Sequence, residues 1–267
     1  MKNPVSVSSL TQRDTQISIM LIGMMFFIFG FVSWANSILI PYFKIACELN
    51  NFKAYLVTFA FYISYFIMSV PASYVLKSIG FKKGMMLGFW IMSIGAFIFI
   101  PAAMNRAYPI FLLGLFTLGT GLAILQTAAN PYITLLGPKE SAAQRISIMG
   151  ICNKGAGILA PLAFAAVILK ATDSDLFKSL EHMTGANRNL ALNELIQRVI
   201  VPYLCVGVLL FLLGLAVRFS PLPEIETDQE NEETAQANSN KTSILLSIAN
   251  LELLSIFDSI YQPFTTS

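Results

Sequence analysis

The sequence predicts an all-α membrane protein built as a bundle of six transmembrane helices. Three observations carry this. The 267 residues are 55% hydrophobic and only 12% charged, about half the charge of a soluble domain, and the mean hydropathy is +0.67. The charged residues are spaced so that long intervals hold none. Those intervals match the ~20 apolar residues that cross a bilayer core, rather than the ~10-residue alternating segments of a barrel. A helix is the form that satisfies every backbone group within its own segment in lipid.

Taken in order, the uncharged intervals place spans near 17–41, 55–76, 84–104, 108–136, 146–169 and 199–218, the fifth interrupted only by Lys154. A cleaved signal peptide is the competing reading of the first. Its apolar run of about 25 residues exceeds the 7–15 of a signal core, and no small-residue cleavage site follows at once, so it is read as a span. Residues 1–16 form a cytoplasmic N-terminus and 17–219 the six-helix bundle. With the N-terminus inside, Lys and Arg number eight in the inside segments against three in the short outside loops, so both termini are expected in the cytoplasm. The longer loop 170–198 is expected outside.

Beyond the sixth span, Pro221 and Pro223 stop the helix, and Glu224, Glu226, Asp228, Glu230, Glu232 and Glu233 follow. Residues 220–242 read as an acidic cytoplasmic linker. The stretch 243–267 is an atypical tail: it is apolar in part, but Glu252 and Asp258 would be costly in a span.

Composition also excludes. A net charge of +2 gives no basic surface, so no nucleic-acid partner is expected. Cys47, Cys152 and Cys205 are far apart and His182 is the single histidine, so neither a disulfide framework nor a metal site is expected. No span collects the His, Asp, Glu or Cys constellation of a membrane enzyme. None of the six spans holds Asp or Glu, so a proton relay has no carboxylate to use.

Polar residues inside spans are the functional candidates. Gln126 and Asn130 lie four apart and share a helix face. Their amides donate and accept, which suits sugar hydroxyls, and interhelical bonding is an equal reading. Trp34, Asn36 and Ser37 cluster in the first span. Trp34 is a candidate to stack on a sugar ring, or a packing or interfacial residue. Asn153 and Lys154 lie about a third of the way along the fifth span. Lys154 suits a hydroxyl or an anion, unless it snorkels to the cytoplasmic surface about two turns away. Tyr62, Tyr65, Pro131 and the prolines at 71 and 161 are candidates for gating or support. Gly84/Gly88, Gly119/Gly121 and Gly155/Gly157 read as close-packing sites. Finally, Ala35-Asn36 with Pro41-Tyr42 is echoed by Ala129-Asn130-Pro131-Tyr132, each opening a three-helix group, as in transporter repeats.

Three stretches carry a family resemblance: Phe29–Phe43 (FGFVSWANSILIPYF), Leu125–Pro138 (LQTAANPYITLLGP) and Arg145–Lys154 (RISIMGICNK). Over residues 15–242 the chain resembles the sugar permeases of the major facilitator superfamily, in the fucose permease and glucose/galactose transporter group. The loop Gly80–Gly84 (GFKKG) sits at the superfamily's loop signature but lacks its usual acidic residue. The resemblance implies two three-helix repeats equal to the N-terminal half of a twelve-helix permease of the bacterial inner membrane. It implies hexose transport coupled to a cation and no resident cofactor. Acidic residues functional on helices 1 and 4 of fucose permease match Ser37 and Gln126, a departure that favours sodium over a proton and the glucose/galactose branch over a fucose-type permease. A sugar-binding asparagine of helix 5 matches Asn153. The implied partners are a hexose, the lipid bilayer, and either a C-terminal half or a second copy. A frameshift or early stop in the linker would yield such a tail, and the fragment would then lack transport of its own.

Overall fold

The computed structural model describes residues 12–136, 139–168, 183–220 and positions 176, 179, 180 and 222; the side chains at 12–14, 36–41 and 139 lie outside the description. The chain divides into two units, Met1–Ile225 and Glu226–Ser267. The N-terminus 1–11, most of the linker 220–242 and the tail 243–267 fall outside the described residues.

Every regular element among the described residues is helical. They are α1 (Gln12–Ala46), α2 (Asn51–Ile79), α3 (Phe81–Met104), α4 (Tyr108–Leu135), α5 (Ala142–Ile168), α6 (Gly185–Gln197) and α7 (Ile200–Phe219), with a short 3-10 turn at Lys139–Ser141. Six membrane-length apolar spans result, the last formed by α6 and α7 together, so the six-helix reading holds. One expectation is corrected. The segment 170–198, read as a loop, contains α6. Leu192, Leu195 and Ile196 are its buried residues, a 3–4 spacing that gives a short amphipathic helix one face to bury. Its charges and amides hid that face from a search for uncharged runs.

The helices are held by backbone-to-backbone approach. The most extensive pairing is α3 with α4, followed by α1 with α5, α3 with α7, and α2 with α4. A Cβ added at Gly121 would lie 2.6 Å from the Gly88 carbonyl oxygen, and one at Gly95 2.6 Å from the Leu118 nitrogen. Only glycine admits such contact, which lipid-embedded helices use because there is no hydrophobic drive between them. Gly119 faces Ser64 and the Phe61 carbonyl of α2, and Gly30 faces the Asn153 carbonyl of α5. On α7, Gly207 meets the Phe97 ring and Gly214 the Trp90 ring, and Ser93 donates to the Gly207 carbonyl at 2.7 Å. Gly155 departs from expectation: a Cβ there would meet nothing within 4 Å. A buried aromatic cluster closes one end, with Phe99 stacked on Tyr203 at 3.9 Å between centroids and Phe43 4.6 Å from Phe111.

The pairings fit two repeats. If α1–α3 correspond to α4, α5 and α7, the α1–α5 pair maps onto α4–α2. The echo follows. Glu48 and Arg106 form an ion pair at 3.7 Å, so the α1–α2 and α3–α4 loops share one end of the bundle. Tyr42 therefore sits at that end and Tyr132, at the finish of α4, at the other. Both are buried. The symmetry is broken where α3 and α4 touch through glycines, while α1 and α7 leave a small apolar cavity lined by Leu21, Met24, Met25, Phe89, Leu213 and Val217, among others.

Gly121→Val should therefore force α3 and α4 apart and cost about 1–3 kcal/mol, read as a lowered thermal midpoint in detergent. Gly155→Ala, where a Cβ meets nothing, should leave the midpoint unchanged or raise it.

Candidate functional site

The candidate site residues of α1 and α5 are brought together by the Gly30 crossing. The two helices run parallel, since Gly23 lies near Met149 and Cys152, Gly30 on Asn153, and Gly157 on Trp34. Asn153 donates its Nδ2 to the Phe26 carbonyl at 3.2 Å. One amide donor is thereby committed to holding α1, while the remaining donor and the acceptor are the groups a ligand would use. Trp34 is 41% exposed. The Cδ1–Nε1 edge of its indole packs on Gly157, where an added Cβ would come within 2.9 Å. The Lys154 ammonium lies 5.6 Å from the Trp34 ring centroid. A sugar stacked on Trp34 would share the ring with this cation.

Lys154 is placed deep. Ala142 begins α5 and Ile168 ends it, so at 1.5 Å per residue Lys154 is about 18 Å from one end and 21 Å from the other. The ammonium reaches toward Trp34, the partner of Gly157 one turn further along α5, which is away from the α5 N-terminus. Snorkelling to that surface is thus replaced by a cation–π contact. The energies do not balance: a lysine at the centre of a span costs about 2.5–3.5 kcal/mol, and a cation–π contact returns about 0.5–2. No Asp or Glu occurs in residues 15–47, 51–136 or 142–168.

On α4, Gln126 is half-buried, and Asn130 and Pro131 are exposed. Thr127 donates back to the Ala123 carbonyl at 2.7 Å. Thr120 Oγ1 is buried without a partner among the described residues. Gln126 and Asn130 make no hydrogen bond to another described residue. Nor does a hydrogen bond among the described residues join this pair to the α1–α5 group. Tyr62 on α2 is exposed, with its ring edge-on to Phe61 at 5.4 Å and tilted to Tyr65 at 6.4 Å. Asn36 and Ser37 lie in α1, and their side chains fall outside the described residues.

Sequence reasoning missed the charges that fix the two ends. Arg145, 5% exposed, donates Nε to the Ile133 carbonyl at 3.0 Å, Nη2 to Thr134 O at 3.0 Å and Nη1 to Ser141 Oγ at 2.7 Å. It caps the C-terminal carbonyls of α4, where a cation also complements the helix dipole. Lys82 does the same for the end of α7, donating to Ser220 O at 2.7 Å. At the opposite end, Glu48 accepts from Arg188 at 2.9 Å as well as pairing with Arg106. Arg188 also donates to Leu180 O at 2.5 Å, and the Tyr42 hydroxyl donates to Leu195 O. These bonds seat α6 over α1 and α3. The signal was present as cations flanking helix ends, but it was spent on orientation. Beside this network, burial pushes the Cys47 thiol up to about 11, against a smaller downward pull from Arg106.

Comparison with known proteins gives a consistent result. The family model of the Major Facilitator Superfamily matches residues 22–261. The chain is 33% identical over 228 residues to a glucose/galactose transporter of Brucella abortus, covering 85% of this chain and 52% of that protein. It is 31% identical over 220 residues to the L-fucose-proton symporter of Escherichia coli, covering 82% and 50%. A crystal structure of the E. coli fucose:proton symporter is similar with a TM-score of 0.69 at 29% identity, over 88% of this chain and 56% of that one. A superfamily transporter in the outward conformation gives 0.70, again at 29% identity, over 88% and 57%. The chain spans about half the length of the curated relatives it matches. Those relatives are membrane transporters, not enzymes.

Two outcomes follow from the end charges. Arg145→Met should strand the Ile133 and Thr134 carbonyls and cost about 1.5–3 kcal/mol, read by thermal unfolding. Maleimide labelling of Cys47 should be slow at pH 8 and rise about tenfold per pH unit toward pH 11, since the thiolate is the nucleophile and is favoured only above the raised value. A plateau by pH 9 would contradict that.

Proposed function

The chain belongs to the major facilitator superfamily, and from that premise we propose that it is the six-helix half of a hexose permease of the glucose/galactose type. It works in a bacterial inner membrane with both ends in the cytoplasm, the orientation its Lys and Arg distribution favours. Transport is cation-coupled, and sodium is the ion proposed, because residues 15–47, 51–136 and 142–168, which form the first five spans, offer no carboxylate to carry a proton.

The observation that carries the reading is the Gln126–Asn130 pair on α4. These amides lie in a span, on one helix face, with no hydrogen bond to another described residue. Polar groups left unspent at such a depth are costly unless a ligand or a hydrated cavity meets them. A sugar offers hydroxyls that both donate and accept, which amides match. Gln126, Asn130, the remaining atoms of the Asn153 amide, and Asn36 and Ser37 would bond those hydroxyls, while Trp34 would contact the ring. Tyr62, Pro131 and Lys154 would support or gate the site.

Sites in such transporters lie near the midplane, between two bundles, and open alternately as one bundle rocks against the other. In this reading the second bundle comes from further residues, another chain or a second copy. The end charges described above would let this bundle move as one rigid body, because they tie the α1–α2 loop to the α3–α4 loop, Arg145 to the end of α4 and Lys82 to the end of α7.

Radiolabelled glucose and galactose uptake, in cells without their own hexose transporters, tests this with and without a sodium gradient. Sodium-dependent accumulation is expected when a second bundle is supplied. Gln126→Ala should lower it about tenfold or more at unchanged membrane abundance, the scale for a lost substrate hydrogen bond of 1.4 kcal/mol or above. Unchanged kinetics would remove Gln126 from the site.

A further inference from the structure

A neutral sugar would leave the charge of the mid-span lysine uncancelled, and its surroundings point to a different ligand group. Among the spans formed by α1 to α5, Lys154 is the charged residue that lies far from both ends of its span. Its ammonium is set over Trp34 at 5.6 Å, and no ion pair holds it among the described residues. The residue is exposed, as is Trp34. The preceding residue, Asn153, is anchored to the Phe26 carbonyl. Gly157 fixes the indole edge one turn along. The cation is therefore positioned, accessible and uncompensated.

We infer that Lys154 and Trp34 form a carboxylate-recognition element, and that the sugar this site binds best is a hexuronate. The inference rests on the sugar-permease reading above and names the substrate class for that same site. An ammonium carries three donors and no acceptor. A neutral hydroxyl meets it only with its oxygen, and leaves the charge in place. A carboxylate offers two acceptor oxygens and cancels the charge, and charge-assisted bonds of this kind are about twice as strong as neutral ones. The pyranose ring of the same molecule would contact the exposed part of the Trp34 indole, and its hydroxyls would remain for the amides. Residues 15–47, 51–136 and 142–168 contain no Asp or Glu, so no carboxylate there competes for the ammonium at this depth.

The sequence has two tryptophans, Trp34 and Trp90, which gives a direct readout. The purified full chain carrying Trp90→Phe, reconstituted in nanodiscs, is titrated with D-galacturonate and with D-galactose while Trp34 emission is followed. Equilibrium dialysis with labelled sugar checks the same affinities. Galacturonate is expected to bind about tenfold tighter than galactose at low salt. Lys154→Gln should remove that preference, and Lys154→Arg should keep most of it. Equal affinities, or a preference that survives in Lys154→Gln, would overturn the inference and leave the hexose reading standing. Binding of neither sugar in both measurements would overturn the two together.

Discussion

Everything in this bundle depends on how closely two helix backbones can approach in a solvent that gives them no hydrophobic reason to meet. Lipid is as apolar as leucine, so association rests on packing and on the few polar contacts available. At Gly88–Gly121, Gly95–Leu118 and Gly30–Asn153 the facing atoms are main chain. The Gly30 contact has the largest consequence. It sets α1 against α5 in parallel and brings the Asn153 amide to the Phe26 carbonyl. It also leaves Trp34 seated on Gly157, within reach of Lys154. The candidate site is a by-product of a packing constraint.

Charge is distributed by the same logic. Ends of helices expose unpaired carbonyls, and the chain meets them with cations: Arg145 at α4, Lys82 at α7. The other end is tied by Glu48, which two arginines from different segments share. Such exposed pairs contribute little singly. Here their effect is geometric, since they join loops and α6 into one body. Lys154 stands apart, a cation at depth without a carboxylate, and the cost of placing it there marks it as the residue most in need of a partner.

The fold was legible because its main signal is the absence of charge over span lengths, and every span so read became a helix. α6 escaped because a short amphipathic helix that carries three asparagines, Arg188 and Glu194 resembles a loop when only charges are counted. The glycine pairs were legible as a class but not in detail. Gly119, Gly121 and Gly157 meet a neighbour, whereas Gly155 faces open space, and nothing in the local sequence separates it from Gly157. Among site residues, spacing alone placed Gln126 and Asn130 on one face. Contact between Lys154 and Trp34, 120 positions apart in sequence, depends on the crossing at Gly30 and was invisible to any local pattern. Arg145 was read for membrane orientation, while its role at the end of α4 required knowing where that helix stops.

The central claim is that the α1–α5 crossing holds the Lys154 ammonium against the Trp34 ring at mid-span. Solid-state NMR of the Trp90→Phe chain in lipid bilayers, with 15N-labelled lysine and 13C-labelled tryptophan, tests it through dipolar recoupling. Trp34 is then the one labelled indole, and a Lys154→Gln sample identifies the signal. The account predicts a lysine ammonium to indole coupling consistent with 5.6 Å to the ring centroid, lost in Lys154→Gln. Absence of that coupling in a sample whose α1–α5 contacts are intact, such as Gly30 to Asn153, would contradict it.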